Sequence, residues 1–278
     1  MTITSHKRLD KPHHGPISGD TELADAVKAL ARAHQSMIWS RQRHTLQLRS
    51  ALREFYPAAL DAFDSLASKD ALAVLGIAPT PKAGRRLSTQ RIASALRRGG
   101  RQRRIDQRAS EIRAALRAEH LAAPDVVADA LGATVAALVG VIAELVTQIR
   151  RLETELADRF EQHPDAKIIR SLPGLGTILG ARVLAEFGDD PNRFDSAKSR
   201  KNYAATSPIT RASGKHRVVL ARYARNRRLA NTCHLWAFAA ISASPGARAF
   251  YDHRRRSGDT HNKALRALAN RLVGILHG

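Results

Sequence analysis

Residues Leu131–Leu156 read LGATVAALVGVIAELVTQIRRLETEL, and their apolar positions recur every seventh residue with no place skipped. Val135, Ile142, Ile149 and Leu156 fall at one seam position, and Leu131, Leu138, Leu145 and Leu152 at the other. That spacing averages about 3.5 residues, close to the helical period and far from the strand's alternation, so only a helix keeps these residues on one edge. A mostly β-branched seam beside an all-leucine seam favours a parallel two-stranded coiled coil, which predicts a homodimer or higher assembly. Val139, Val141 and Val146 widen the stripe, so packing inside the chain against another long helix accounts for the same pattern. Both readings stay open here. The most apolar part, Leu131–Ala143, is bracketed by Asp129 and Glu144, which leaves it short of the roughly 20 residues of a membrane span. We read it as the helix of a soluble protein, with no membrane partner.

Working outward, a second helical face links Leu23, Val27, Leu30, His34, Met37, Arg41, Leu48, Leu52 and Phe55, and predicts a long helix from Asp20 that ends at Pro57. Pro79 and Pro81 then break the pattern, and Ser88 caps a short helix that stops at Gly99-Gly100. Toward the other end, Pro245 starts one helix and Thr260 or Asn262 the last, with Leu265, Leu268, Leu272 and Ile275 apolar. Only Arg217–Leu220 reads as extended. The fold class is therefore mainly α: long helices and a coiled coil, followed by a helical C-terminal domain. Four segments are expected: a disordered tail over 1–18, a helical basic region over 19–125, a coiled-coil segment over 126–162, and a C-terminal domain over 163–278.

Lys and Arg number 46 against 25 Asp and Glu among 278 residues, a net charge of +21. That excess exceeds what solubility requires and points to a polyanion, with nucleic acid the first candidate. Between Arg85 and Arg104 there are eight arginines and no acid, and like charges so crowded repel unless an anion sits among them. We expect Arg97, Arg98, Arg101 and Arg103 to contact phosphates, which positions a backbone without reading its sequence. Cys233 is the only cysteine, which excludes an internal disulfide and suits a reducing cytoplasm. With no apolar core of a signal peptide near the start, a cytoplasmic location is expected. No second Cys or His stands at zinc-ligand spacing from Cys233 and His234, so these, with Trp236, are read as core or near-core residues.

Two stretches carry candidate chemistry. Ile168-Ile169-Arg170-Ser171-Leu172-Pro173-Gly174-Leu175-Gly176, followed by Thr177–Phe187, looks like a helix-hairpin-helix. Gly174 and Gly176 allow a tight turn whose backbone N–H groups, with the next helix N-terminus, can face a phosphate. An ordinary helical hairpin has the same pattern. Further on, Ser213 is followed by Gly214 and lies among Arg211, Lys215, His216 and Arg217, so a phosphodiester drawn there meets a hydroxyl with cations beside it. A plain turn serine fits the same residues. Arg222, Arg225 and Asn226 follow, opening a helix on which they share a face and extend the basic surface.

Taken in that order and spacing, the Leu172–Gly176 turn, Phe194–Tyr203, Ser213-Gly214 and the Arg222–Leu229 run resemble the IS-one-ten family of bacterial insertion-sequence transposases. The resemblance is strong from Lys167 to Gly278. It continues more weakly back to Asp20, through Ala31-Arg32-Ala33-His34-Gln35 and Leu52-Arg53-Glu54-Phe55-Tyr56-Pro57. It implies a C-terminal transposase domain whose serine, here Ser213, becomes linked to DNA. It also implies a separate RNase-H-like domain with four carboxylates for magnesium, and a structured guide RNA as a partner beside DNA. The chain departs from the family at its start, where Asp10, Asp20, Glu22 and Asp25 are the only nearby acids and no metal cage is legible. No cofactor is expected on this chain itself, magnesium belonging with the other domain. The expectation is a truncated, catalytically incomplete transposase; the alternative is a non-catalytic nucleic-acid-binding or assembly protein that competes with a full-length transposase.

Overall fold

Helix α1 (Glu22–Phe55) follows the second apolar face almost to the residue. Pro57, which cannot continue it, takes the first position of α2 (Pro57–Ala62), where its missing N–H has no partner to lose. The computed structural model describes residues 19–120, 123–214, 216–223 and 225–277; the tail over 1–18 lies outside them. Among the described residues the chain forms thirteen helices and one two-stranded sheet, and is mainly α. Contacts divide it into two units. One runs from Leu30 to Asp158; the other joins the segment up to Ala29 with Arg159 onward.

The first unit contains most of α1, then α2, α3 (Lys69–Leu75), α4 (Pro81–Arg85), α5 (Thr89–Arg98), α6 (Ile105–Leu116) and most of α7 (Asp125–Glu161). Ser88, the expected cap, accepts a hydrogen bond from the Arg91 N–H, and Ser68 and Thr80, which the sequence reading did not single out, cap α3 and α4 in the same way through the Ala71 and Ala83 N–H groups. The core gathers Leu48, Leu52 and Phe55 of α1, Val74 and Leu75 of α3, Ile92 and Leu96 of α5, and Ile112 and Leu116 of α6 around Val135, Val139 and Ile142 of α7. The predicted coiled-coil stretch thus buries its β-branched seam within the chain over this part. Leu131 and Leu138 of the other seam are partly buried against the same core. By length and composition alone α7 could cross a membrane, yet these side chains enter a packed core.

The second unit holds α8 (Ala166–Ser171), α9 (Thr177–Phe187), α10 (Ala197–Tyr203), β1 (Ile209–Ser213), β2 (His216–Leu220), α11 (Arg227–Ala243), α12 (Pro245–Arg256) and α13 (His261–His277). α9 is buried at every residue from Gly180 to Phe187, as a central helix must be, and packs with α13 on α11. Trp236 and Cys233 of α11 are buried as expected, but His234 beside them is exposed, because it falls just past the margin of that helix's buried face. Leu265, Leu268 and Leu272 of α13 are buried, whereas Ile275 is 53% exposed. Only the second strand was legible in the sequence. β1 pairs antiparallel with it, Ser213 opposite His216, and its Ile209-Thr-Arg-Ala-Ser run is too polar to announce a strand.

Asp20, one of the few acids near the start of the chain, ties this unit together. Its carboxylate, 3% exposed, accepts from Arg193 Nη2 at 2.8 Å, Lys28 Nζ at 3.2 Å and the Asp189 N–H at 3.2 Å. Burial works against its charge, but the hydrogen bonds from Lys28 and Arg193 outweigh it and hold the pKa below the ordinary carboxylate value. Thr21 adds a 2.6 Å hydrogen bond to Asp189.

Candidate nucleic-acid interface

The turn between α8 and α9 is set from behind. Trp236, fully buried, donates its indole N–H to the Pro173 carbonyl at 2.9 Å. Gly174 adopts φ +84°, and a Cβ there would stand 2.5 Å from the Ala240 nitrogen of α11. This glycine therefore faces a neighbouring helix backbone, and its bareness serves packing. Gly176 differs: it occupies the N-cap position of α9, is exposed, and has open space where a Cβ would be. The side that can meet a phosphate is thus that of Gly176 and the first N–H groups of α9. Glu161 sits beside it, accepting from Thr177 Oγ1 at 3.1 Å and from Arg170 Nη1 at 2.8 Å. Sequence reading missed this carboxylate, since sixteen residues separate it from Thr177.

Ser213 ends β1 at the tip of the hairpin, exposed, with Gly214 at φ +55° leading the two-residue loop to β2. A positive φ at that place is what a tight hairpin loop requires. The hydroxyl is presented to solvent. Lys215 and the side chains of Arg211, His216 and Arg217, expected around it, lie outside the described residues. Arg222, Arg225 and Asn226 precede α11 and do not open it, because Asn226 caps the helix: its Oδ1 accepts from the N–H groups of Arg228 and Leu229. Its amide donates to buried Glu186 at 2.5 Å, so Asn226 fixes the loop and has little left for a ligand. Arg222 Nη2 donates to Asn202 at 3.3 Å, while Arg225 is exposed.

In the other unit the basic cluster is confirmed as a surface only in part. Arg85, Arg86, Arg91, Arg98, Arg103 and Arg104 are exposed, but the expectation of eight unpaired arginines needs correcting. Arg101 pairs with Asp70 of α3 at 2.5 Å, and Arg97 approaches Asp106 at 3.6 Å; both acids lie outside the acid-free window. Arg101 is thus partly a structural anchor. Replacing Arg91, Arg98, Arg103 and Arg104 by Gln should lower duplex affinity similarly for all sequences and flatten its salt dependence, by nearly one unit of slope for each phosphate no longer neutralised. Titrations at several salt concentrations check this, and an unchanged slope would remove the cluster from the interface.

No three His, Cys, Asp or Glu side chains converge as a metal-holding group among the described residues. Asp20 is committed to two cations and an amide, and Asp25 lies 3.3 Å from Lys28, so the acids at the start of α1 do not fit a magnesium cage.

Residues 166–252, from the first residue of α8 into α12, match the transposase family described as IS116/IS110/IS902. The chain is also 44% identical, over 281 aligned residues, to the protein of Streptomyces coelicolor named as the mini-circle putative transposase for IS117; the alignment takes in all of this chain and 68% of that protein. The chain belongs to the IS110 family of insertion-sequence transposases. It is 33% identical to a 42 kDa protein of insertion element IS900 from Mycobacterium paratuberculosis and 29% identical to a 44.8 kDa protein of IS116 from Streptomyces clavuligerus, each over 94% of its length. It spans about two thirds of these relatives, 65% in both. The family match takes in the Gly174–Gly176 turn, Ser213 and the Arg222–Asn226 loop, so the two stretches singled out by sequence fall inside it.

Proposed function

We propose that this IS110-family chain is the DNA-binding, serine-bearing part of a transposase, and that by itself it binds nucleic acid without cutting it. Membership in a transposase family implies DNA as the partner; structured RNA, through the same phosphate contacts, belongs to the proposal. The observation that carries it is Ser213, exposed at a hairpin tip within the matched segment. In an assembly that also supplies the carboxylates and a proton acceptor, its Oγ would give up its proton and attack phosphorus, the O–P bond to the departing strand would break to leave a hydroxyl end, and a phosphodiester would be kept as a serine–DNA link. A serine hydroxyl is a weak nucleophile at neutral pH, and the described residues bring no converging carboxylates to it. The resemblance assigns those carboxylates, and the proton acceptor with them, to an RNase-H-like domain outside these residues. Dimer formation through the partly buried leucines of α7 completes the reading.

Purified chain incubated with supercoiled plasmid and magnesium should give neither nicks nor a denaturant-resistant protein–DNA adduct. An adduct that disappears in Ser213→Ala would show that the chain is competent alone and overturn the division of labour. Mixing the chain with an IS110-family transposase whose own serine has been replaced supplies the positive arm. The adduct should then form on this chain and be abolished by Ser213→Ala; persistence in that variant would exclude Ser213 as the nucleophile.

A further inference from the structure

Beside the hairpin, on the second unit alone, is a cavity of about 650 Å³. Arg225, Arg227 and Arg266 line it with His234 and Thr206, and among the described residues no carboxylate does. Among the described residues none of these three guanidiniums has an acidic partner, in a unit where Arg170, Arg193 and Arg254 all do. Three cations around one concavity repel each other, so the arrangement is stable only with water or an anion between them. At the rim stands Tyr223, 94% exposed. An aromatic ring held almost wholly in water gains nothing from the fold, but it is the flat platform on which an unstacked base can lie. The volume falls in the range of small-ligand sites and accommodates one nucleotide rather than a duplex, whose paired bases cannot enter a pocket.

The pocket also has a fixed relation to Ser213. Thr206 precedes β1 and Tyr223 follows β2, so both ends of the hairpin rise from the pocket wall. Five residues of β1 place its tip about 13 Å from its base. A strand whose phosphodiester lies at Ser213 therefore reaches the pocket within a few nucleotides.

We propose that this cavity binds one unpaired nucleotide of a single strand, with its base stacked on Tyr223 and its phosphate held by Arg225, Arg227 and Arg266. The proposal rests on the nucleic-acid reading above, and adds to it a preference for a strand that is locally unpaired. His234, whose pKa is pushed down by partial desolvation and by the nearby His261 and Arg266, stays neutral at physiological pH and can exchange hydrogen bonds with the base edge.

The test compares a short single-stranded oligodeoxynucleotide with the duplex of the same sequence, by fluorescence anisotropy on the intact chain. Tyr223→Ala should weaken single-strand binding by about tenfold and leave duplex binding within about twofold, while Tyr223→Phe should keep the wild-type value. Because Tyr223 is exposed, these variants leave the core untouched. A 5-iodouracil-substituted single strand should crosslink to the peptide containing Tyr223. Equal losses on both forms, no loss on either, or crosslinks that all map elsewhere would overturn the pocket. Wild-type duplex binding is the separate control on the underlying reading: its absence would sink that reading even where single-strand binding survives.

Discussion

Gly174→Ala is expected to destabilise the second unit by about 3 kcal/mol, summing the cost of a Cβ at positive φ with that of overpacking. The residue sits at φ +84°, and the added carbon would lie 2.5 Å from the Ala240 nitrogen, 2.8 Å from its Cα and 2.9 Å from the Ala239 carbonyl carbon. All three are backbone atoms of α11 and cannot swing aside as a side-chain tip could. Relief requires the turn to move off α11, which also strains the Trp236 hydrogen bond to Pro173. A melting temperature lower by about 5–10 °C is the expected measurement. Gly176→Ala is the internal comparison. Its φ is −82° and open space surrounds the new carbon, so stability should change by less than about 0.5 kcal/mol. Duplex affinity should nevertheless fall, because the methyl projects where a phosphate would approach the α9 N-terminus. Equal melting temperatures for the two variants would mean that the turn does not rest on α11.

Ile142→Asp should unfold the first unit. Ile142 has no exposed surface and packs in a core with side chains from α1, α3, α5 and α6, so the substitution buries a carboxylate without a partner and removes apolar packing as well. The two effects together cost several kcal/mol, a large part of an ordinary domain's stability. Leu138→Asp on the other seam is the discriminating companion. Leu138 is only partly buried, and a carboxylate there can reach water, so the fold should survive with a destabilisation of about 1–2 kcal/mol. Circular dichroism separates the two outcomes, and light scattering adds the assembly state. If the leucine seam joins two chains, Leu138→Asp converts dimers to folded monomers. A folded, unperturbed Ile142→Asp would instead place that seam outside the core.

Residue periodicity alone determined that the chain is helical, where its long helices begin and end, and that Ser88 starts a short one, because those signals are local: 3.6-residue repetition, a serine oxygen reaching an N–H three residues on, a proline that cannot continue a helix. Ser213-Gly214 and the glycine turn were legible as motifs for the same reason. What each glycine is for was not. Gly174 faces α11 and Gly176 faces solvent, a distinction made by Ala240, which is distant in sequence. Likewise the window from Arg85 to Arg104 contains no acid, yet Asp70 neutralises Arg101 from another helix. The Val135–Ile142 seam was compatible with a partner chain or with the chain's own helices, since heptad spacing specifies an apolar edge and not what covers it. Tyr223, Arg227 and Arg266 became one cavity only when α11 and α13 packed together, for charge and exposure are properties of a surface, and a surface exists only once the chain has closed on itself.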